Sequence, residues 1–169
     1  MANSTFSGPV RSENGFKSVS KNSTTGAVTE ITTYGEAPVA LADGDVSLTN
    51  ATHSGRVLIV PNGGQDNTYT LPSPVAGSNF QFVYGGEAAD ATDFIIDSGS
   101  DTNFFIGNVA FNDTDDGAAS VVFSDADSNS KLQVNVPGSA VINVVAKDST
   151  NWYVWGSVTG ATAPAFADQ

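Results

Sequence analysis

Residues 53–86 read HSGRVLIVPNGGQDNTYTLPSPVAGSNFQFVYGG. Three runs in this stretch have the character of β-strands: 56–60, 68–71 and 80–84. They are separated by Pro61-Asn62-Gly63-Gly64 and by Pro72-Ser73-Pro74. Such clusters end regular structure, because proline lacks a backbone donor and glycine admits conformations closed to other residues. In an extended chain Val57 and Ile59 point one way and Leu58 and Val60 the other, so this run predicts a strand buried on both sides. Phe80, Phe82 and Tyr84 alternate with Gln81 and Val83, the period of a strand with one face in a core. A β-sheet core starts here, and the rest of the chain must supply its partners.

Strand-like runs continue in both directions. Upstream lie 28–34, 38–41 and 46–48, the last two flanking a tight turn at Ala42-Asp43-Gly44-Asp45. Downstream lie 93–97, then 104–106 and 109–111 on either side of Gly107-Asn108, then 119–124 and 131–136 around an acidic loop. Residues 140–146 are nearly continuously apolar, and 151–158 read NWYVWGSV. In that last run Trp152, Val154 and Gly156 share one face, and Tyr153, Trp155 and Ser157 the other. Strands recurring at roughly 8–12 residues predict an all-β protein whose body, residues 37–159, is a β-sandwich or barrel. No helical period and no repeat of fixed length is visible. Residues 1–36 read as an extended N-terminal arm. Residues 160–169 (GATAPAFADQ) read as a short C-terminal tail offering Phe166 as an anchor.

The chain of 169 residues is long enough for one ordinary domain, and 40% hydrophobic residues suffice for a core. Eighteen acids against six bases give a net charge of −12, which opposes nucleic-acid binding because phosphate calls for clustered Lys and Arg. The bases are unevenly spread. Arg11, Lys17 and Lys21 precede residue 27 with Glu13 as the single acid there, so a basic leader stands before an acidic body. There is no cysteine, and therefore neither a disulfide nor a thiolate metal site. The opening MANSTFSGPVRSENG has no apolar signal core and no run approaches membrane-spanning length. The expectation is a protein made in a cytoplasm, with no membrane partner.

Candidates for chemistry are few. Asp125-Ala-Asp127-Ser-Asn129-Ser130 resembles the opening of a calcium loop, but Ser130 and Val136 stand where that pattern wants glycine and glutamate. The cluster around Asp113, Asp115 and Asp116 is similar, and weak cation binding at either place competes with ordinary turn chemistry. His53, the one histidine, precedes Ser54, yet neighbours in sequence rarely point together as a nucleophile and its base must. Asp97 and Asp101 form a carboxylate pair of the kind expected by chance in so acidic a chain. The residues therefore predict no catalytic centre, no cofactor and no resident metal. Trp152, Tyr153 and Trp155 offer either a sugar-stacking platform or core and interface packing.

Three pieces of the chain together resemble a known group. They are FSGPVRSENGF from Phe6 to Phe16; GRVLIV from Gly55, YTLP from Tyr69 and GSNFQF from Gly77; and NWYVWG from Asn151. The chain is similar in these to the small virion structural proteins of tailed bacteriophages, marine and cyanobacterial ones above all. The resemblance implies a capsid decoration, or cement, protein on the exterior of the virion, commonly a homotrimer, whose partner is the major capsid protein. On that reading the arm and tail make the contact, through Phe6, Arg11, Phe16, Lys17, Lys21 and Phe166. The competing expectation is a tail-fibre or surface module that binds glycan through Trp152, Tyr153 and Trp155.

Overall fold

The apolar alternation read above becomes strand along most of the chain. The computed structural model describes residues 18–31, 37–86 and 92–169, and the chain divides into two compact units, residues 1–35 and 36–169. In the first unit, β1 (Ser18–Lys21) pairs antiparallel with β2 (Val28–Ile31). Asn22 builds the turn between them: its Oδ1 accepts the backbone N–H groups of Thr24 at 2.9 Å and Thr25 at 3.0 Å. Part of the segment expected as an extended arm is thus a hairpin.

The second unit is all-β as expected, and of the sandwich and barrel alternatives it has two sheets packed together, wound in an unexpected way. β3 (Val39–Ala40), β4 (Val46–Ser47), β5 (Arg56–Ile59), β6 (Asn67–Thr70), β7 (Asn79–Tyr84) and β8 (Phe94–Asp97) alternate between two sheets. Within one sheet β3, β5 and β7 run parallel, and within the other β4, β6 and β8 do. The chain therefore coils as a short two-sheet β-solenoid. Its Pro/Gly clusters carry it across from sheet to sheet instead of folding it back as hairpins. The turn at Ala42–Asp45 is one such crossing: β3 and β4 lie in different sheets. Between β4 and β5 sits one turn of helix, α1 (Asn50–His53), capped by the Thr49 hydroxyl.

The second half of the chain closes both sheets. β9 (Phe104–Asp113), β10 (Ala119–Phe123), β12 (Pro137–Ala146) and β13 (Asn151–Gly160) extend the first to the order β10-β9-β13-β12-β7-β5-β3. β11 (Lys131–Val134) and β14 (Ala165–Ala167) extend the second to β14-β11-β8-β6-β4. Gly107-Asn108, expected to break a strand, lies inside β9. Gly107 has φ 143, and a β-carbon there would collide with the Val154 carbonyl on the neighbouring strand. Glycine here serves close approach of two backbones, which is its other role inside sheets.

Between the sheets lies one core. Tyr69 on β6 meets Phe82 on β7 at 6.1 Å between ring centroids, Tyr84 meets Phe94 at 6.2 Å, and Phe105 meets Phe166 at 6.4 Å. Leu58, Ile96, Leu132, Ile142 and Trp152 are fully buried among them. The 56–60 run departs from its predicted two-sided burial. Leu58 and Val60 are buried, but Ile59 is 39% exposed on the outside of the larger sheet.

Candidate functional site

The outer face of the seven-stranded sheet has a composition unlike the rest of the surface. Strand alternation and register place Tyr153 and Trp155 of β13 outward, beside Val141 and Asn143 of β12 and Asn108 of β9. Trp155 is paired in register with Asn143 on one side and with Asn108 on the other. Asn143 Oδ1 accepts a hydrogen bond from Gln81 Nε2 at 2.9 Å. One strand further out, Phe123 is opposite Asn108 and is 74% exposed. No outward position on any of these seven strands holds Asp, Glu, Lys or Arg. Lys147 reaches in from the β12–β13 turn, with its Nζ 5.9 Å from the centre of the Tyr153 ring. At the β5 and β7 end the face runs into an open cleft of about 440 Å³ lined by Ile59, Val60, Asn62, Val83, Gly85 and Gly86.

The expected glycan trio does not act together. Tyr153 and Trp155 are 44% and 47% exposed on this face, whereas Trp152 is fully buried on the opposite side of β13, edge-on to Phe80 at 5.8 Å. Of the residues expected to touch a capsid, Phe6, Arg11, Phe16 and Lys17 lie outside the described residues. Lys21 ends β1 and is exposed. Phe166 is not on a free tail. It sits on β14, in register with Leu132, and packs against the core through Phe105. Gln169 closes this edge by donating its N–H to Ser130 Oγ at 2.9 Å.

The body's acidity is largely turn chemistry. Asp45 Oδ1 accepts the Thr68 N–H of the next coil at 2.8 Å, Asp66 Oδ1 accepts that of Asp93 at 2.9 Å, and Asp93 Oδ1 accepts that of Val136 at 2.9 Å. Aspartates thus stitch successive coils where the chain enters the smaller sheet. Asp113 Oδ1 accepts the Asp115 N–H and Asp116 Oδ1 that of Ala118, both at 2.8 Å. Asp125 gathers the N–H groups of Asp127, Ser128 and Asn129 and the Ser128 hydroxyl at 2.6 Å. The Ser128 hydroxyl and N–H bring its pKa down to about 2. Asp148 is likewise held below the usual carboxylate range, by the Thr150 N–H and then the Asn151 amide. No group of three or more His, Asp or Glu side chains converges to hold a metal among the described residues.

His53 and Ser54 face separate tasks. The His53 Nδ1 accepts the Thr49 N–H at 3.0 Å, and Ser54 Oγ accepts that of Asn79 at 3.1 Å. Asp97 accepts from the Gly99 N–H at 2.7 Å and from the Gln169 side-chain amide. No helix among the described residues is long and apolar enough to cross a membrane.

Sequence reasoning singled out Tyr153 and Trp155 but missed Val121, Phe123, Ile59 and Val141, which share their face of the sheet. The signal for two of these was present: runs 56–60 and 140–146 are apolar at consecutive positions, as if for burial on both sides. No family model matches this chain, and no curated protein matches it in sequence.

Proposed function

We propose that this chain is a structural protein of a virus particle, a decoration protein bound to the exterior of a tailed-phage head and touching the major capsid protein. The observation that carries the structural reading is the segregation of charge. A chain of net charge −12 keeps every outward position of its largest sheet neutral and displays aromatics there. Such a surface is built to be covered by protein. The resemblance of the leader, the 55–82 region and the Trp-Tyr strand to phage virion proteins supplies the particle. The basic leader, with Arg11, Lys17 and Lys21, is the segment suited to an acidic shell. Decoration of many equivalent sites amplifies a weak contact. The test is quantitative mass spectrometry of purified particles, together with binding of the chain lacking residues 1–26 to undecorated heads. The chain is expected in numbers comparable to the major capsid protein, and the truncated form is expected to fold but not to bind. A handful of copies per particle, or full occupancy by the truncated form, overturns the reading.

One arrangement favours a second reading, a glycan-binding tail module. Two exposed aromatic rings on one strand, with Asn108 and Asn143 beside Trp155, combine a stacking surface with amide hydrogen-bonding groups. Glycan-array binding that disappears in Trp155→Ala would establish it, and it excludes a face covered by protein.

A further inference from the structure

We propose that the outer face of the seven-stranded sheet, centred on Trp155, is where a second copy of this chain packs. The inference rests on the structural reading above and names the partner for that face.

The first argument is the mismatch between sequence and exposure. The runs at 56–60 and 140–146 are patterned for burial on both sides, yet among the described residues of the second unit one side only is covered. Leu58, Ile142 and Val144 are fully buried, while Ile59 and Val141 are each 39% exposed. Val121 is 58% exposed and Phe123, at the sheet's open edge, 74%. Soluble monomers rarely display an apolar surface of this breadth.

The second argument is charge, and it selects the occupant. Two copies of a chain with net charge −12 repel over most approaches. The outer face of the smaller sheet carries Asp97 and Lys131, and aspartates crowd the crossings between sheets. The Trp155 face has no strand-borne charge, and Lys147, which reaches Tyr153 from the β12–β13 turn, lies 3.8 Å from Asp148, so two copies meeting there bring no strand-borne like charges into contact. A strongly charged partner would find no strand-borne charge to pair with. Asn108, Asn143, Gln81 and Ser157 supply hydrogen-bonding groups that serve equally on both copies of a symmetric contact.

The third argument is area. β9, β12 and β13 are ten residues long, and at about 3.3 Å per residue they span about 33 Å. With the five-residue β10 and six-residue β7 beside them, at about 4.8 Å per strand, the face covers about 650 Å². That lies within the roughly 600–1,000 Å² each partner buries in a standard stable interface. Face-to-face packing of sheets is an established geometry, and here it would also shelter the uncharged edge strand β10.

The test is sedimentation equilibrium of the full chain at physiological salt, beside Trp155→Glu, Val141→Glu and, as control, Val75→Glu. Val75 is 59% exposed in the turn before β7, outside the strands that form the face. Wild type and Val75→Glu are expected at a multiple of 17.3 kDa, and both face variants at 17.3 kDa with unchanged circular dichroism. A wild-type monomer overturns the proposal, as does a Trp155→Glu and Val141→Glu pair that stays associated. Head binding is scored separately. A monomer that decorates heads removes this interface and leaves the decoration reading standing, whereas an oligomer that ignores heads does the reverse.

Discussion

Trp152 and Trp155 stand on the same strand, β13, and serve opposite sides of one sheet. Trp152 is fully buried and meets Phe80 edge-on at 5.8 Å, while Trp155 is 47% exposed among uncharged neighbours. Trp152→Ala is expected to lower stability by about 3–5 kcal/mol, as for other buried aromatics. Trp155→Ala in dilute protein should change it by less than about 1 kcal/mol. Trp152→Phe should fall between, because the indole Nε1 is buried without a partner and its removal loses no hydrogen bond. Urea unfolding of the three variants reads the order directly.

The strand-by-strand reading of the sequence succeeded where one face is buried and one is wet. The period of Phe80, Phe82 and Tyr84 marked β7, and the division of Trp152, Val154 and Gly156 from Tyr153, Trp155 and Ser157 holds in β13, although which of the two faces is buried was left open. What alternation cannot carry is direction. Val39 pairs with Leu58 and Leu58 with Phe82 in parallel, but a parallel neighbour and an antiparallel one ask for the same side chains. The coil was also hidden because successive turns differ in length, so no fixed period appears. The strand at Phe166 was missed for a different reason. Its neighbours Pro164, Ala165, Ala167 and Asp168 give no apolar alternation, and its partners Phe105 and Leu132 are remote in sequence. The outer face was half legible, as consecutive apolar residues in two runs. Phe123 and Val121 carried no such mark, because an edge strand of five residues reads the same whichever way it faces.

Gly107 is the position where a single methyl group does most harm. At φ 143, with the Val154 carbonyl in the path of any β-carbon, Gly107→Ala strains its own backbone and separates β9 from β13. The expected loss is at least about 2 kcal/mol. Gly64→Ala is the control, since a β-carbon at Gly64 meets nothing within 4 Å. It should lie within about 1 kcal/mol of wild type in the same denaturation series.

Val136 is a β-branched residue at φ 37, a conformation such side chains adopt only under constraint. The constraint is Asp93, which accepts the Val136 N–H at 2.9 Å and the Gln133 amide at 2.7 Å. Val136→Gly should therefore raise stability by about 1 kcal/mol by releasing left-handed strain. Asp93→Ala should lower it by about 1.5–3 kcal/mol, the range for a hydrogen bond to a charged group. A lower denaturation midpoint for Val136→Gly would show that the valine's packing outweighs its strain.

Acid should weaken the protein through its turn aspartates. The Ser128 hydroxyl, then its N–H, brings the Asp125 pKa to about 2 in the folded chain against 3.8 for a free side chain, and the Thr150 N–H, then the Asn151 amide, depresses that of Asp148. The folded state thus releases these protons more readily than the unfolded one. Their contribution is complete above about pH 4 and is lost as pH falls through the folded value. Asp148→Asn should flatten the acid limb of a plot of melting temperature against pH. If the limb keeps its slope, other carboxylates set it.

The alkaline limb should belong to Tyr69. Its ring is fully buried, and burial first of all, aided by the charges of Asp43 and Asp45 and opposed by Asn67, pushes its pKa from 10.0 up to about 12. The phenolate is the disfavoured form inside the sandwich, and it forms freely in the unfolded chain from about pH 10. Between about pH 10 and pH 12 the unfolded state therefore loses a proton that the folded state keeps, so stability falls as pH rises through that window. The hydroxyl makes no well-formed hydrogen bond, and neither does Asn67 Oδ1 beside it, so Tyr69→Phe removes a buried polar atom without orphaning a partner. At neutral pH that variant should match wild type within about 1 kcal/mol or exceed it. Above pH 10 it should be the more stable of the two, and the gap should widen with pH in thermal melts. Parallel decline of both proteins would mean that surface tyrosines and lysines, not this ring, govern the alkaline limit.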